Sequence, residues 1–513
     1  MKNSSRVIAN TFFMYFRLIV TIGIAFYSVR LILRYLGVVD YGIYNLIAGT
    51  VSMLSFLNNA MTVSTQRFLS FYQGRNDQEE QRRVFFNSIA LHVLMALIIC
   101  LALEILYFPL FGGFLNIPAD RLDAAKFIYH TCVATLFLTI SYTPFTASIN
   151  AHEDMIFIAL INVFDSVAKL VLAFLIPLFG SMKLEYYGLG ILVQTIVSFS
   201  LYAIVCFSRY GECRRMTLKL FRKERLRDLG CFAGWNTVGS ITGMAKSQGL
   251  GILFNIFYNP AINAAFGIST QVNSQMNFFS TSMQQSLNPQ IMKSEGSGDR
   301  ARMMRLSFIA SKFGFFLIAF ISIPCLFEMD ELLKVWLGEV PPYCILFCIS
   351  IAVAVLIDQI TVGLNAAIQA TKLVKESALT VGMIKLMIVP VAFFLLKAGY
   401  GLGACMVGYA AVEAVAGIAR IVLLHMKLNM DIKDFIQKVV LQLAAPVAVS
   451  CIVMSLFVNL WHYDYRFVVS IPTCVIMFGV SAYLFSLSAE ERVIVNNLVS
   501  KLKSKLPWQQ AKR

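Results

Sequence analysis

Residues 10–37 read NTFFMYFRLIVTIGIAFYSVRLILRYLG. This run is long and apolar enough to cross a bilayer, whose hydrocarbon core of about 30 Å takes about 20 residues of helix. Arg17 nevertheless stands about ten residues inside the segment, roughly 15 Å deep at 1.5 Å per residue, near the midplane. A charge there is costly, and snorkelling to the interface is a stretch from that depth. Arg17 therefore needs water, an anion or a buried carboxylate beside it. Arg30 and Arg34, one turn apart near the other end, can reach an interface, and Arg34 reads as an interfacial anchor.

The rest of the chain has the same character. Of 513 residues, 58% are hydrophobic and 14% charged, against about 25% charged in soluble domains. Mean hydropathy is +0.72, and the apolar residues gather in long blocks. These features indicate an all-α integral membrane protein and exclude a soluble one. The net charge of +15 follows from basic loops on one side of a membrane, so no nucleic-acid partner is expected. Eleven cysteines lie scattered, mostly in apolar blocks, with no CxxC or Cys/His cluster. They read as small buried hydrophobes, and no metal site or cofactor is expected. The first apolar segment is too long for a cleavable signal, lacks an A-x-A-like exit, and is expected to remain as a transmembrane helix.

Fourteen segments have spanning length: 7–34, 41–69, 84–108, 125–149, 155–179, 187–208, 230–257, 261–289, 304–327, 342–369, 375–397, 401–425, 437–460 and 466–487. Loops after even-numbered segments are basic, such as SRYGECRRMTLKLFRKERLRD at 208–228 and the tail SKLKSKLPWQQAKR at 500–513. Loops after odd-numbered segments are short or acidic, such as EMDELLKVWLGEVPP at 328–342. The positive-inside rule then puts both termini in the cytoplasm.

An internal repeat organises the segments. FYQGRND at 71–77 matches MKSEGSGD at 292–299, SINAHEDM at 148–155 matches AIQATKLV at 367–374, and YYGLGIL at 186–192 matches GYGLGAC at 399–405. Segments 1–6 and 7–12 read as two copies of one bundle. Six being even, the copies share an orientation about an axis along the membrane normal. The expected parts are a six-helix lobe over 1–225, a second over 226–435, two extra helices over 436–488 and a basic tail over 489–513. Two similar bundles facing a cavity are a transporter architecture.

Polar residues concentrate in four segments. The first has Asn10, Arg17, Thr21 and Ser28; the second includes Asn58, Asn59 and Arg67. The seventh has Asn236, Ser240 and Lys246; the eighth includes Gln271, Asn277 and Gln284. These helices are the expected walls of a wet cavity, although hydroxyls and amides also bond helices together. Lys246 and Lys385 lie deep, and Arg67 is as readily interfacial as substrate-facing. Among the acids, Asp165 and Lys169 are spaced to pair at i, i+4. Asp165, Asp358 and Glu413 are candidate Na⁺ or H⁺ coupling sites or partners of Lys169 and Lys385. The first two segments hold no acid inside the membrane, so the cavity is net positive and suits an anion. Arginine's fork of donors matches phosphate oxygens. Pro144, Pro324 and Pro390 lie inside helices as candidate kinks.

The stretches RYLGVVDYGIYNL (34–46), STQRFLSFYQGRNDQ (64–78) and NPQIMKSEGSGD (288–299), with the two YGLG segment starts, carry a resemblance. The chain resembles the O-antigen and polysaccharide flippases of the multidrug/oligosaccharidyl-lipid/polysaccharide exporter (MOP) superfamily, which is MATE-like in fold. The resemblance implies a V-shaped pair of lobes in the bacterial inner membrane. It implies alternating access for an undecaprenyl-pyrophosphate-linked oligosaccharide, with other polysaccharide-assembly proteins as partners. Carried over by position, it points to Arg17, Arg30 and Arg67 as pyrophosphate contacts. The eighth segment departs from that pattern by offering no cation, a role Lys246 can take. The alternative is a MATE-type exporter of drugs or small metabolites, which usually carries an acid in the first or seventh membrane helix; this chain has none there. A scaffold of the glycan machinery is a third reading. No nucleophile–base set, metal cluster or phosphate-cradling glycine loop suggests an enzyme, and no catalytic residue is assigned.

Overall fold

The computed structural model describes residues between 17 and 496, apart from 18–19, 22, 25–26, 29, 33, 53–54, 115–116, 181, 215, 259, 338, 462–464, 489–490 and 494–495. Asn10 and nearly all of the basic tail lie outside the described residues. Helices joined by short turns make up the described chain, and it contains no strand.

Among the described residues, nine helices are long and apolar enough to span a membrane by length and composition: Gln78–Gly112, Ala119–Ala151, Met155–Phe179, Lys183–Arg209, Arg300–Phe327, Val374–Lys397, Leu402–Leu428, Ile432–Leu460 and Phe467–Ser486. The tenth segment is a broken span, Cys344–Gln359 and Leu364–Ala370, bent by 51°. Arg30–Leu36 and Asp40–Gly49 meet at 119°, the angle of a turn where the first segment ends and the second begins. The second (Val38–Ser52 and Ser55–Gly74), seventh (Lys223–Phe257) and eighth (Pro260–Gly296) are long helices. Their polar residues, already evident in the sequence, keep them out of the apolar set. The described helices are consistent with about fourteen segments, arranged as two six-helix lobes and two further helices.

The repeat extends to individual backbone hydrogen bonds. Asn76 and Gly298, 222 residues apart, both have positive φ, at 56° and 81°. Asp77 N donates to Tyr72 O and Asp299 N to Ser294 O, while Asn76 N donates to Gln73 O and Gly298 N to Glu295 O. This pair of bonds closes a helix with a left-handed residue at its end. Asp77 and Asp299 then cap the next helix, accepting from Glu80 N at 3.0 Å and Arg302 N at 2.9 Å. A second matched pair, 219 apart, is Glu153 and Lys372, at φ 61° and 63°. Asp154 N donates to Ile149 O, and Leu373 N to Ile368 O. The repeated motifs are therefore helix-stop and helix-start signals.

Kinks arise from more than one cause. Pro390 cannot donate to residue 386, and the helix breaks just before it, at Met387, between Met383–Leu386 and Ile388–Lys397. The 51° bend of the tenth span contains no proline. It occurs at Gly363, where a side chain would strike the backbone of Ser307 and Ser311, and where Gly363 N donates to Ser311 Oγ at 3.1 Å. Pro144 and Pro324 sit within continuous helices, Leu122–Ala151 and Arg300–Phe327.

Three apolar cores hold the bundle. One lies wholly in the first lobe, from Leu31 to Tyr187, and another wholly in the second, from Leu250 to Tyr409. The third joins both lobes and the last two helices, from Phe68 to Leu487. It gathers at the end of the molecule that carries the basic loops. The lobes share a core at that end and keep separate cores toward the other, which is a V with its apex at the basic end.

Candidate functional site

The apex is closed by contacts related by the repeat. Gly74 packs on the backbone of Lys293, and Gly296 on the backbone of Phe71; both pairings are related by 222 residues. Arg67, 1% exposed, donates from Nε to Gln369 O at 3.2 Å and from Nη2 to Ala370 O at 2.8 Å. Its guanidinium sits 4.5 Å from the Phe68 ring, 4.7 Å from Phe71 and 5.6 Å from Phe232. On the other side of the pseudo-twofold, Glu153 of the first lobe receives Lys293 Nζ at 2.7 Å and Gln290 Nε2 at 3.0 Å. Ser64 Oγ donates to Leu229 O at 3.0 Å. We refer to these contacts as the clasp. Glu153, Gln290 and Lys293 went unnoticed in the sequence, where the only pointer was that HED (152–154) lies in a repeated motif.

Above the clasp lies Arg17. Its guanidinium is 5.8 Å from the ring of Phe278, across the lobe boundary, and no carboxylate pairs with it among the described residues. Phe278 belongs to a stripe on the eighth helix: Gln271, Ser274, Phe278, Thr281 and Gln285, spaced by three or four residues and so on one face. Gln271, Ser274, Thr281 and Gln285 are exposed. Amides and hydroxyls exposed at this depth belong against water. Asn59 is exposed on the second helix. Arg30 is exposed as well, on a face with Gly23, Tyr27 and Arg34.

Other candidates bond helices within one lobe. Asn58 Oδ1 accepts from Thr143 Oγ1 at 2.7 Å. Gln284 Nε2 donates to Ser280 Oγ at 3.1 Å, and Ser280 Oγ to Gln359 Oε1 at 2.7 Å. Gln359 Nε2 reaches Asn277 Oδ1 at 3.3 Å. The eighth helix is thus two-faced. One face is tied to the tenth span by a ladder of amides, and the other is left to solvent.

The second lobe holds a charge cluster. Lys246 Nζ lies 2.6 Å from Glu413 Oε1 and 4.9 Å from the Tyr409 ring. Lys385 Nζ bridges Asp358 Oδ1 and Glu413 Oε2, each at 2.9 Å. Arg420 lies 3.3 Å from Asp358 Oδ1 and donates to Thr361 Oγ1 at 2.6 Å. Lys246, Lys385, Asp358 and Glu413 are therefore neighbours, from four different helices. Arg420 is an addition whose sequence signal was its place two turns beyond Glu413 on one helix face. Three cations meet two carboxylates, leaving one positive charge in surplus.

Asp165 of the first lobe is different. It does not pair with Lys169, which is exposed. It accepts instead from Gln194 Nε2 at 2.6 Å and from Ser198 Oγ. The helix spacing permits the Lys169 pair, but the neighbouring sixth helix supplies donors already inside the bundle. Among the described residues, no group of three or more His, Cys, Asp or Glu side chains could hold a metal ion.

No family model matches the chain, and no curated protein matches it. Solved structures do match. An outward-facing multidrug resistance MATE family transporter of the MOP superfamily aligns with a TM-score of 0.69 at 14% identity, over 83% of this chain and 96% of that one. A MATE transporter of Vibrio cholerae gives 0.65 at 17% identity, over 83% and 98%. A MOP superfamily transporter of Pyrococcus furiosus, whose binding pocket is of reverse polarity, gives 0.66 at 14% identity, over 83% and 96%. By architecture, repeat and these superpositions, the chain has the fold of the MATE transporters of the MOP superfamily.

Proposed function

We propose that this protein is an alternating-access transporter of the bacterial inner membrane that flips an undecaprenyl-pyrophosphate-linked oligosaccharide for surface polysaccharide synthesis. The observation that carries the reading is Arg17, a cation with no carboxylate partner among the described residues, its guanidinium 5.8 Å from the ring of Phe278 in the other lobe. An anionic headgroup would supply what its depth demands. The exposed amides and hydroxyls of the eighth helix suit a hydrated glycan, and the polyprenyl tail stays in lipid. The basic end is cytoplasmic in this reading, so the V opens outward. Arg67 is locked in the clasp and Lys246 and Lys385 in the charge cluster, so of these five candidate cations Arg17 and exposed Arg30 are left for cargo among the described residues.

A second reading, a MATE-type ion-coupled exporter of drugs or small metabolites, draws on the neighbours and on Asp165. That acid is held by an amide and a hydroxyl rather than a cation, so it is the better placed of the three candidate acids to exchange H⁺. Asp358 and Glu413 already face lysines.

The test is the level of lipid-linked oligosaccharide in wild type, deletion and Arg17→Ala strains at matched protein level. The flippase reading expects cytoplasmic-side accumulation in both mutants. Accumulation in the deletion alone makes Arg17 structural. Accumulation in neither, with altered drug susceptibility, moves the exporter reading to the front.

A further inference from the structure

At the basic end of the first lobe, the turns that follow the second, fourth and sixth spans enclose a cavity of about 260 Å³. Gln73, Asn76, Gln78, Gln81, His152 and Glu212 line it. The lining contains no lysine or arginine, so phosphate would find no cation there except through His152, and Glu212 would repel it. Glu212 is already engaged, 2.7 Å from His152 Nε2 and 2.9 Å from Ser148 Oγ. The His152 ring stacks on Tyr210 at 4.0 Å, and Tyr210 donates to Asp154 Oδ2 at 2.9 Å. This network sets the tautomer: Nε2 donates to Glu212, and Nδ1 accepts from Gln73 Nε2 at 2.8 Å. Gln73 Oε1 is buried without a hydrogen-bond partner among the described residues.

What greets a ligand is therefore a set of carboxamides. A carboxamide carries a donor and an acceptor side by side; exposed Asn76 and Gln78 present both, while Gln73 and Gln81 already donate one N–H, to His152 and to Tyr72 O, and neighbouring hydroxyls of a sugar, which donate and accept, complement that pattern. An anion meets a carboxylate, and a cation must displace His152 from Glu212. The volume falls below the roughly 300–1,000 Å³ of pockets for drug-sized ligands, so it suits one ring-sized unit rather than a whole oligosaccharide.

We propose that this cavity is a saccharide subsite that takes one neutral, hydroxyl-rich sugar unit of the cargo at the cytoplasmic face. The inference rests on the flippase reading. The cavity's position also connects it to the clasp, because Gln73 precedes Gly74 and His152 precedes Glu153. A sugar bridging the two turns bears directly on the residues that hold the lobes shut, so cargo recognition and release of the clasp occupy adjoining residues.

The experiment uses the purified full-length protein in lipid nanodiscs. Saturation-transfer NMR is run with neutral hexoses and N-acetylhexosamines, and with inorganic pyrophosphate as the anionic control. At least one sugar is expected to bind. Gln73→Leu and Gln78→Ala should each weaken it, together by about tenfold, the worth of one or two neutral hydrogen bonds. Gln78 is exposed, and its side chain makes no hydrogen bond among the described residues, so its variant guards against misfolding as the cause. Arg17→Ala should leave sugar binding unchanged. No sugar signal, a signal surviving both substitutions, or binding of pyrophosphate alone overturns the subsite. If the deletion strain still accumulates lipid-linked oligosaccharide in that case, the flippase reading stands without it. Sugar binding combined with no accumulation in the deletion strain overturns the assignment to cargo.

Discussion

Gly74→Ala tests whether the clasp sets how the two lobes meet. A Cβ on Gly74 would lie 2.8 Å from the carbonyl carbon and 2.9 Å from Cα of Lys293, and nearer still to its carbonyl oxygen. Carbon atoms rest at about 3.5 Å or more, so the two helices must part by at least roughly 0.7 Å. The obstacle is backbone on both sides, with no side chain to swing aside. The nearby bonds have little slack: a similar displacement takes Arg67 Nε, at 3.2 Å from Gln369 O, out of hydrogen-bond range, and stretches the 2.7 Å Lys293–Glu153 contact. Overpacking of this kind costs about 1–3 kcal/mol, which shifts a two-state ratio by about 5- to 150-fold. Gly296→Ala should act alike, because it strikes Phe71 across the same pseudo-twofold. The assay is electron–electron resonance between spin-labelled unnatural amino acids at exposed Gln78 and Ser297, expected to show a longer distance population at the basic end. Gly243→Ala, with nothing within 4 Å of its new Cβ, has the same gain in helix propensity and should change nothing. A Gly74→Ala distribution identical to wild type would refute the reasoning.

Two further perturbations address the charge groups. Glu413→Gln leaves Lys246, Lys385 and Arg420 with Asp358 alone, and stranding a buried charge costs about 3–5 kcal/mol. The apparent Tm in detergent should fall, and Lys246→Met on top of it should restore part of the loss; an unchanged Tm would show that the cluster is not electrostatically tied. Burial alone would raise the Glu212 carboxyl, but the His152 contact and the Ser148 hydroxyl outweigh it and hold it below its ordinary 4.5. A carboxyl depressed in the folded state stabilises the fold above its unfolded value, and that contribution fades as pH falls below 4.5. Thermal scans from neutral to acid pH should therefore show a steeper loss in wild type than in His152→Phe, and parallel curves would exclude the pair as an acid-sensitive element.

Much of the architecture was legible because membrane helices announce themselves by length and composition, and because the repeat preserved local stop and start signals. QGRND and EGSGD match in sequence since each needs a small residue at a helix crossing, a residue tolerant of positive φ and an aspartate to cap the next helix. The partners of deep charges were less legible. Asp165 and Lys169 satisfy helical spacing, yet Gln194 and Ser198 of a neighbouring helix take the carboxylate, a contact no local pattern encodes. Arg67 reads in the sequence as readily interfacial as substrate-facing, with the pyrophosphate role implied by the resemblance alone, and the structure places it against two carbonyls of the opposite lobe. The polar residues of the eighth helix were visible as a set, but their division into a ladder face and a solvent face needed the position of Gln359.

The three apolar cores carry a consequence for biogenesis. The cores confined to residues 31–187 and 250–409 can each assemble as soon as their own helices have entered the bilayer. The joint core cannot, because Phe68 and Phe85 wait for partners as late as Phe478 and Leu487. A nascent chain arrested after its sixth helix would hold a formed half away from the basic end and an unfinished half at it, exposing a surface a membrane chaperone could grip. Sealing of the basic end would then be the last event of synthesis.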